Sequence, residues 1–323
     1  MKIIVLDDWS NAFRQMACFK RLHEHEVIVY HDTITDTDEL ARRLHGAQAV
    51  VLTQERTRFD RPLIEKLDTI RFAAQTGSHR HHIDLVACNE KNIAVSAPLK
   101  TGTGISTAEL TWALILASLR NLPHEVEQLK KGLWQTSFGV GLRGLTLGVY
   151  GMGGIGTLVA QVGKAFGMRV IGWGRESSRK KIVDAGYEMP QTREEFFSEC
   201  DVLSLHIFAN DQTRGIIGEE DLALMKPSAL LVNTSRARLI KEGALVKALK
   251  AGRPGRAAVD VYEHEPVFNA NHPLLHLPNV ICTPHLGYAV EQTFEMLFET
   301  AVEHLLAFSE AQPINLLNPE ALQ

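Results

Sequence analysis

The run Leu145-Thr146-Leu147-Gly148-Val149-Tyr150-Gly151-Met152-Gly153-Gly154-Ile155-Gly156 constrains this chain more than any other. An apolar strand passes directly into G-x-G-x-x-G, and Leu158, Val159, Val162 and Phe166 follow at helical spacing. The glycines have separate tasks: Gly151 permits the tight turn, Gly153 lets the backbone approach a pyrophosphate, and Gly156 lets helix and strand pack closely. With Gly154 and Ile155 they open a helix whose N-terminus offers unpaired N–H groups and partial positive charge to a phosphate. A glycine-rich turn alone is common. A strand before it, a helix after it and a second strand from Met168 to Trp173 make this one a dinucleotide site rather than a structural turn.

A site selective for NAD presents Asp or Glu at the end of that second strand, to the adenosine ribose hydroxyls. Here Trp173 is followed by Gly174 and Arg175, with Ser177, Ser178, Arg179 and Lys180 close behind. Glycine removes the repulsion a carboxylate exerts on a 2′-phosphate, and arginine can pair with that phosphate. The expected cofactor is NADP or NAD, with NADP favoured. The competing reading of the basic residues is a solvated start to the next helix.

Short β-branched runs alternate with helical patterns along most of the 323 residues, enough for two domains. Residues 3–6, 27–30, 49–52, 70–74 and 93–96 read as one series of strands. A second comprises 145–150, 170–173, 202–205, 229–232, 257–261 and 280–282. Such alternation builds parallel sheets covered on both faces. Residues 106–120 read as a helix apolar nearly all round, and 290–308 as a closing helix. Two α/β halves joined by apolar helices suggest a site in the cleft between them.

Hydrophobic residues at 45% and charged ones at 22% suit a globular protein, and a net charge of −4 argues against nucleic acid as partner. Cys18, Cys88, Cys200 and Cys282 share no CxxC spacing, so neither a disulfide framework nor a zinc site is indicated. The first residues are too short and too acidic a run for a secretory signal, and no stretch is long enough to span a membrane. A cytoplasmic location is expected.

Three further segments fall where later strands should end, which is where open α/β sheets bind ligands. They are Asn233-Thr234-Ser235-Arg236, Asp260-Val261-Tyr262-Glu263-His264-Glu265-Pro266 and Thr283-Pro284-His285-Leu286-Gly287. Reduction of a keto acid needs an arginine, a carboxylate and a histidine, and these segments contain all three. Arginine's planar fork suits a carboxylate and its neighbouring carbonyl oxygen. The developing alkoxide needs a proton, which histidine can give near neutrality. A carboxylate beside a histidine holds its ring and favours its protonated form.

With these motifs the chain resembles the D-isomer-specific 2-hydroxyacid dehydrogenases, a family that includes phosphoglycerate dehydrogenases and glyoxylate/hydroxypyruvate reductases. The resemblance covers nearly the whole chain, with Gln75-Thr76-Gly77-Ser78 and Ser106-Thr107-Ala108-Glu109-Leu110 fitting upstream. It implies an α/β fold of two doubly wound parallel-sheet domains. A Rossmann-type cofactor domain would take residues 103–289, and a discontinuous flavodoxin-like substrate domain 1–102 and 290–323. The implied reaction is hydride transfer between NAD(P) and C2 of a small D-2-hydroxy or 2-oxo acid. Arg236, Glu265 and His285 would be catalytic, with Glu265 pairing with His285 as the acid/base. Gly77, Ser78, Arg236 and His285 would contact substrate, and Asp260 would face the nicotinamide carboxamide. Ile207, Thr234, Ser235 and Gly287 would join the glycine turn, Gly174 and Arg175 around the cofactor. No metal is expected. Together with the resemblance, the apolar stretches 110–119 and 134–142 suggest a homodimer.

Some positions depart from the family pattern. Ala237 stands where glycine usually follows the arginine, and Phe208 replaces a proline after His206-Ile207. In Gly77-Ser78-His79-Arg80-His81-His82, His79 and His82 replace a glycine and an asparagine. Adjacent loop histidines without Cys or acidic partners make a poor metal site. They form either a solvated basic loop or an anion-binding entrance that favours substrates with a second negative group. Trp112 and Trp134 read as core or interdomain packing rather than substrate clamps. A rival reading is a nicotinamide-sensing regulator or corepressor on the same scaffold, but no recruiting arm stands out. Formate oxidation is another, yet it moves no alcohol proton and has no use for a histidine held by Glu265. Since the sequence stops soon after the closing helix, no appended regulatory domain is expected.

Overall fold

The computed structural model describes residues 1–78, 80–99 and 104–322, without the side chains of Glu176 and Ser177. His79 of the histidine loop lies outside the described residues. The chain divides into two compact units, Met1–Gly102 with Val290–Gln323, and Thr103–Ala289.

The first unit carries a parallel sheet of five strands, β1 (Lys2–Val5), β2 (Glu26–Val29), β3 (Ala49–Leu52), β4 (Phe72–Gln75) and β5 (Ala94–Ser96). Their order, β2-β1-β3-β4-β5, is that of flavodoxin-like sheets. Ile4, Val50, Leu52, Ala73 and Val95 point to one core, shared with Leu40, Leu63 and Ala87 of three short helices. Each of those helices is started by an aspartate, Asp36, Asp60 or Asp84, that accepts a first-turn N–H. The helix Glu291–Ser309 covers the other face, its Phe308 stacking on Phe72 at 4.4 Å. Past that helix, Leu316 bridges to Ser96, and Asn318 accepts from Val95 N at 2.7 Å and donates to Ile93 O at 2.9 Å. The C-terminal residues thereby close the edge of β5, a place where unpaired backbone would otherwise be exposed.

The second unit has six parallel strands, β6 (Thr146–Tyr150), β7 (Arg169–Trp173), β8 (Val202–Leu205), β9 (Leu230–Asn233), β10 (Arg256–Val259) and β11 (Val280–Cys282), in the order β7-β6-β8-β9-β10-β11. A lone parallel bridge from Ile171 to Glu188 stands where a Rossmann sheet has one more strand. Alternation divides the side chains between faces. Leu147, Val149, Val202, Leu230, Val232 and Ala258 meet the helices Gly104–Leu119 and Gly154–Ala165. Leu203, Leu205, Leu231, Ala257 and Val259 meet Phe196, Phe197, Leu222 and Leu249 on the other side.

All eleven strands expected from sequence form, with ends displaced by at most two residues. Trp112 is buried as expected, its Nε1 donating to Val159 O at 3.2 Å. Trp134 is a correction: it is 77% exposed. Its segment carries no helix or strand and is pinned instead to the helix Leu122–Lys130, where Glu125 accepts from Thr136 and Ser137. Among the described residues, no helix is long and apolar enough to cross a membrane.

A buried histidine makes the first unit sensitive to acid. His304 has 0% exposure, and Asn315 Nδ2 donates to its Nε2 at 3.0 Å. Its Nδ1 finds no hydrogen-bond partner among the described residues, so a charged ring would bury an unpaired N–H donor. Burial lowers its pKa from the ordinary 6.5. The folded imidazole thus takes up a proton less readily than the unfolded one. Its contribution to stability is complete above the unfolded value and is lost as pH falls below it. Thermal unfolding between about pH 7.5 and about pH 5 should show Tm falling in the wild type and falling less in His304→Leu, which has no proton to gain. Equal slopes would contradict this.

Candidate active site

β6 delivers the chain into a turn where Gly151 has φ +103°, a region open mainly to glycine. A Cβ on Gly151 would lie 2.6 Å from His206 O, and one on Gly156 would overlap Gly151 O. Both glycines are therefore required by the packing of the helix Gly154–Ala165 across the ends of β6 and β8. Gly153 and Gly154 differ, with nothing within 4 Å of the Cβ position. Gly153 caps the helix without a side-chain acceptor, so the first N–H groups stay available to an anion. That open cradle fits a dinucleotide pyrophosphate.

At the end of β7, Trp173 stacks on Phe196 at 5.7 Å, and the Arg179 guanidinium lies 5.7 Å from the same indole. Arg175, exposed, occupies the cap position of the helix Glu176–Asp184. A Cβ on Gly174 would meet Ser178 Cβ at 3.1 Å, so a side chain there requires Ser178 to yield.

Asn233, the last residue of β9, organises the arginine turn. Its Oδ1 accepts from Ser235 N at 3.0 Å and its Nδ2 donates to Arg236 O at 3.1 Å. Thr234 Oγ1 pairs with Thr111 Oγ1 at 2.7 Å, and Ser235 Oγ donates to Ile207 O at 3.0 Å, tying the ends of β8 and β9 together. Arg236 extends from this turn, its Nη1 donating to Ser235 O at 2.9 Å.

Just past β10, Asp260 is buried and accepts from Thr283 Oγ1, Leu286 N and Gly287 N at 2.6, 2.7 and 2.8 Å. Burial raises its pKa, while those donors and the His285 charge act against the rise. Beyond β11, His285 has φ +54°, a conformation a non-glycine residue keeps only where its surroundings enforce it. His285 Nδ1 lies 2.5 Å from Glu265 Oε2, and Glu265 Oε1 accepts from Tyr262 N at 2.8 Å. The side chains of His285 and Glu265 are 27% and 30% exposed, so the pair is held by the protein yet reachable. With Nδ1 engaged by a carboxylate, Nε2 is the nitrogen left for a reacting group. His206, at the end of β8, is pushed down to about 4 by burial, too low for a proton donor near neutrality.

Gly77 and Ser78 belong to the first unit, directly after β4. A Cβ on Gly77 would lie 2.7 Å from Gln54 Oε1. Gln75 Nε2 donates to Gln54 O at 2.8 Å and Gln54 N to Thr76 Oγ1 at 2.9 Å, bracing the turn. In the histidine loop, His81 Nδ1 lies 3.3 Å from Glu55 Oε1, and the His82 ring is buried. The loop thus has an acidic partner that its local sequence does not show. Among the described residues, no group of His, Cys, Asp and Glu could hold a metal. Phe208 is 69% exposed and Ala237 opens a short helical turn.

One sheet therefore gathers the glycine turn, Arg236, Asp260, Glu265 and His285 beyond the C-terminal ends of its strands, while Gly77 and Ser78 lie on the other. Sequence reasoning missed Asn233, Tyr262 and Thr283, which hold the others in place. A usable signal existed: Asn233 and Thr283 are polar residues at the junction of a strand and a functional turn.

Known proteins carry the same arrangement of sequence and fold. The family model for the D-isomer specific 2-hydroxyacid dehydrogenase, NAD binding domain, matches residues 112–287. The chain is 40% identical over 276 residues to the glyoxylate reductase of Aeropyrum pernix, covering 82% of each. It is also 40% identical over 258 residues to the D-3-phosphoglycerate dehydrogenase of Methanocaldococcus jannaschii, covering 79% of this chain and 48% of that one. The crystal structure of phosphoglycerate oxidoreductase from Vibrio cholerae superposes with a TM-score of 0.91 at 43% identity, covering 96% of this chain and 99% of that chain. Matches of this length and identity establish that the chain belongs to the D-isomer specific 2-hydroxyacid dehydrogenase family.

Proposed function

We propose that this chain moves a hydride between NAD(P) and C2 of a small D-2-hydroxy or 2-oxo acid of the glyoxylate, hydroxypyruvate or phosphoglycerate kind. The observation that carries the reading is the 2.5 Å contact between Glu265 Oε2 and His285 Nδ1. Bound nicotinamide supplies or takes the hydride. In reduction, Arg236 holds the substrate carboxylate and carbonyl oxygen and stabilises charge as it grows on that oxygen. His285 Nε2 gives the proton that turns alkoxide into alcohol. Glu265 fixes the ring through Nδ1 and offsets the imidazolium charge. Asp260 faces the carboxamide, with Ile207, Thr234, Ser235 and Gly287 beside it, and the backbone at Gly77 and Ser78 holds the substrate carboxylate. Formate oxidation moves no alcohol proton and would leave the Glu265–His285 pair without a task.

We favour NADP as cofactor. A carboxylate at position 174 would repel a 2′-phosphate ~4 Å away by roughly 1–4 kcal/mol. An Arg175–phosphate contact adds about 1.5–3 kcal/mol, less where the guanidinium stays solvated. We also propose a homodimer. The helix Gly104–Leu119 is largely consumed by its own sheet, but Leu122, Val126, Leu129, Leu133, Trp134 and Phe138 remain exposed, Phe138 by 93%. Such a patch favours burial against a second copy. We place the enzyme in the cytoplasm, where its four free cysteines stay reduced.

His285→Ala should lower kcat for glyoxylate or hydroxypyruvate reduction about 10²–10⁴-fold while cofactor affinity changes little; a near wild-type rate would refute the assignment. Cofactor binding without turnover of any 2-oxo acid by the wild type would favour the regulator instead. For cofactor choice, kcat/KM should be higher with NADPH than with NADH, and Gly174→Asp with Arg175→Ala should reverse the order. A wild type preferring NADH by about tenfold or more would remove the NADP reading. Sedimentation should show twice the monomer mass of 35.9 kDa, and Trp134→Asp with Phe138→Asp should yield monomer. A stable wild-type monomer at micromolar concentration would exclude the dimer.

A further inference from the structure

We infer that Tyr262 is a positioning residue that sets both ends of the Glu265–His285 hydrogen bond. The inference rests on His285 as the acid of the reaction. At the glutamate end, Tyr262 N donates to Glu265 Oε1 at 2.8 Å, which leaves Oε2 for His285 Nδ1 at 2.5 Å. At the histidine end, Tyr262 Oη donates to Thr283 O at 3.0 Å, and the same carbonyl accepts His285 N at 3.1 Å. One residue thus holds the carboxylate directly and the imidazole through a shared acceptor.

Tyr262 has little freedom of its own. It is buried, and His272 meets its ring edge-on at 5.0 Å. His272 is fixed in turn, by Glu263 Oε2 at 2.9 Å on Nε2 and by Leu274 N at 3.3 Å on Nδ1. Cys282 lies against the Tyr262 hydroxyl, and Tyr288 meets the His285 ring edge-on at 5.7 Å.

The histidine needs this support because its backbone is in the left-handed region, at φ +54°. After His285, Leu286 N and Gly287 N are tied to Asp260. Before it, the restraint is Thr283, held by Asp260 through its hydroxyl and by Tyr262 through its carbonyl. Removing the tyrosine hydroxyl alone would release that carbonyl while leaving the ring and the contact to Glu265 in place. Proton delivery depends steeply on donor placement, and a shift of about 1 Å can lower a rate about 10²-fold.

Tyr262→Phe in the full chain should lower kcat for 2-oxo acid reduction about 5- to 30-fold, with KM for the cofactor within about twofold of wild type. The solvent isotope effect on kcat, from light and heavy water, should grow because proton delivery becomes slower relative to the other steps. A merely structural role would lower Tm and leave the isotope effect unchanged. A kcat within about twofold of wild type with an unchanged isotope effect overturns the inference, whatever the Tm. Should Tyr262→Phe fail to fold, His272→Ala loosens the same ring while keeping the hydroxyl. It should move kcat and the isotope effect in the same directions by less, and no movement there also overturns the inference. If His285→Ala is inactive while Tyr262→Phe behaves as wild type, only the role of Tyr262 falls. If His285→Ala stays active, the acid itself lies elsewhere.

Discussion

The close approach of Gly156 to the Gly151 carbonyl, and of Gly151 to the backbone of His206, decides where everything else in the second unit can sit. No side chain larger than hydrogen fits at either point. The contact seats the helix Gly154–Ala165 across β6 and β8, where the strand order reverses direction. That is the place where an open α/β sheet exposes helix N–H groups to a ligand. The strands then run outward through β9, β10 and β11. Each ends in one of the segments that bear Arg236, Asp260 with Glu265, and His285. The distance between the glycine turn and His285 is thus set by the sheet that carries both.

Against that rigid frame the site stores two unfavourable features. Asp260 is a buried carboxylate, and His285 is a non-glycine residue at positive φ. Each helps make the other tolerable. The donors that satisfy Asp260, namely Thr283 Oγ1, Leu286 N and Gly287 N, lie on the turn that carries His285. Asp260 thereby acts as the anchor of the histidine turn. A buried acceptor left without these donors would be strongly destabilising, so the turn and the carboxylate stand or fall together. Similar mutual support appears in the first unit, where Asn318 seals the edge of β5 with the returning chain.

Much of this was legible in sequence because it rests on periodicity and local chemistry. Parallel strands covered on both faces read as continuous apolar runs, and the glycine turn declares itself by its flanks. The residues that hold the site were harder to see. Tyr262 and Thr283 act through a hydroxyl and a main-chain carbonyl, and such bonds leave no trace in composition. Glu55 reaches His81 only through the fold, so the histidine loop looked free of acidic partners when read locally. Trp134 read as core because hydrophobicity records that a side chain avoids water, not which body covers it. The Glu265–His285 contact joins residues on either side of β11, and resemblance to a family rather than spacing brought them together.

The proposed function depends on hydride transfer from the cofactor to C2 of a 2-oxo acid. Reduction of hydroxypyruvate with cofactor deuterated at the transferring C4 position, in ordinary water, reads that step directly. D-Glycerate carrying one deuterium at C2 and none gained elsewhere is the predicted product. Glycerate without deuterium at C2, or glycerate of the L configuration, would contradict it.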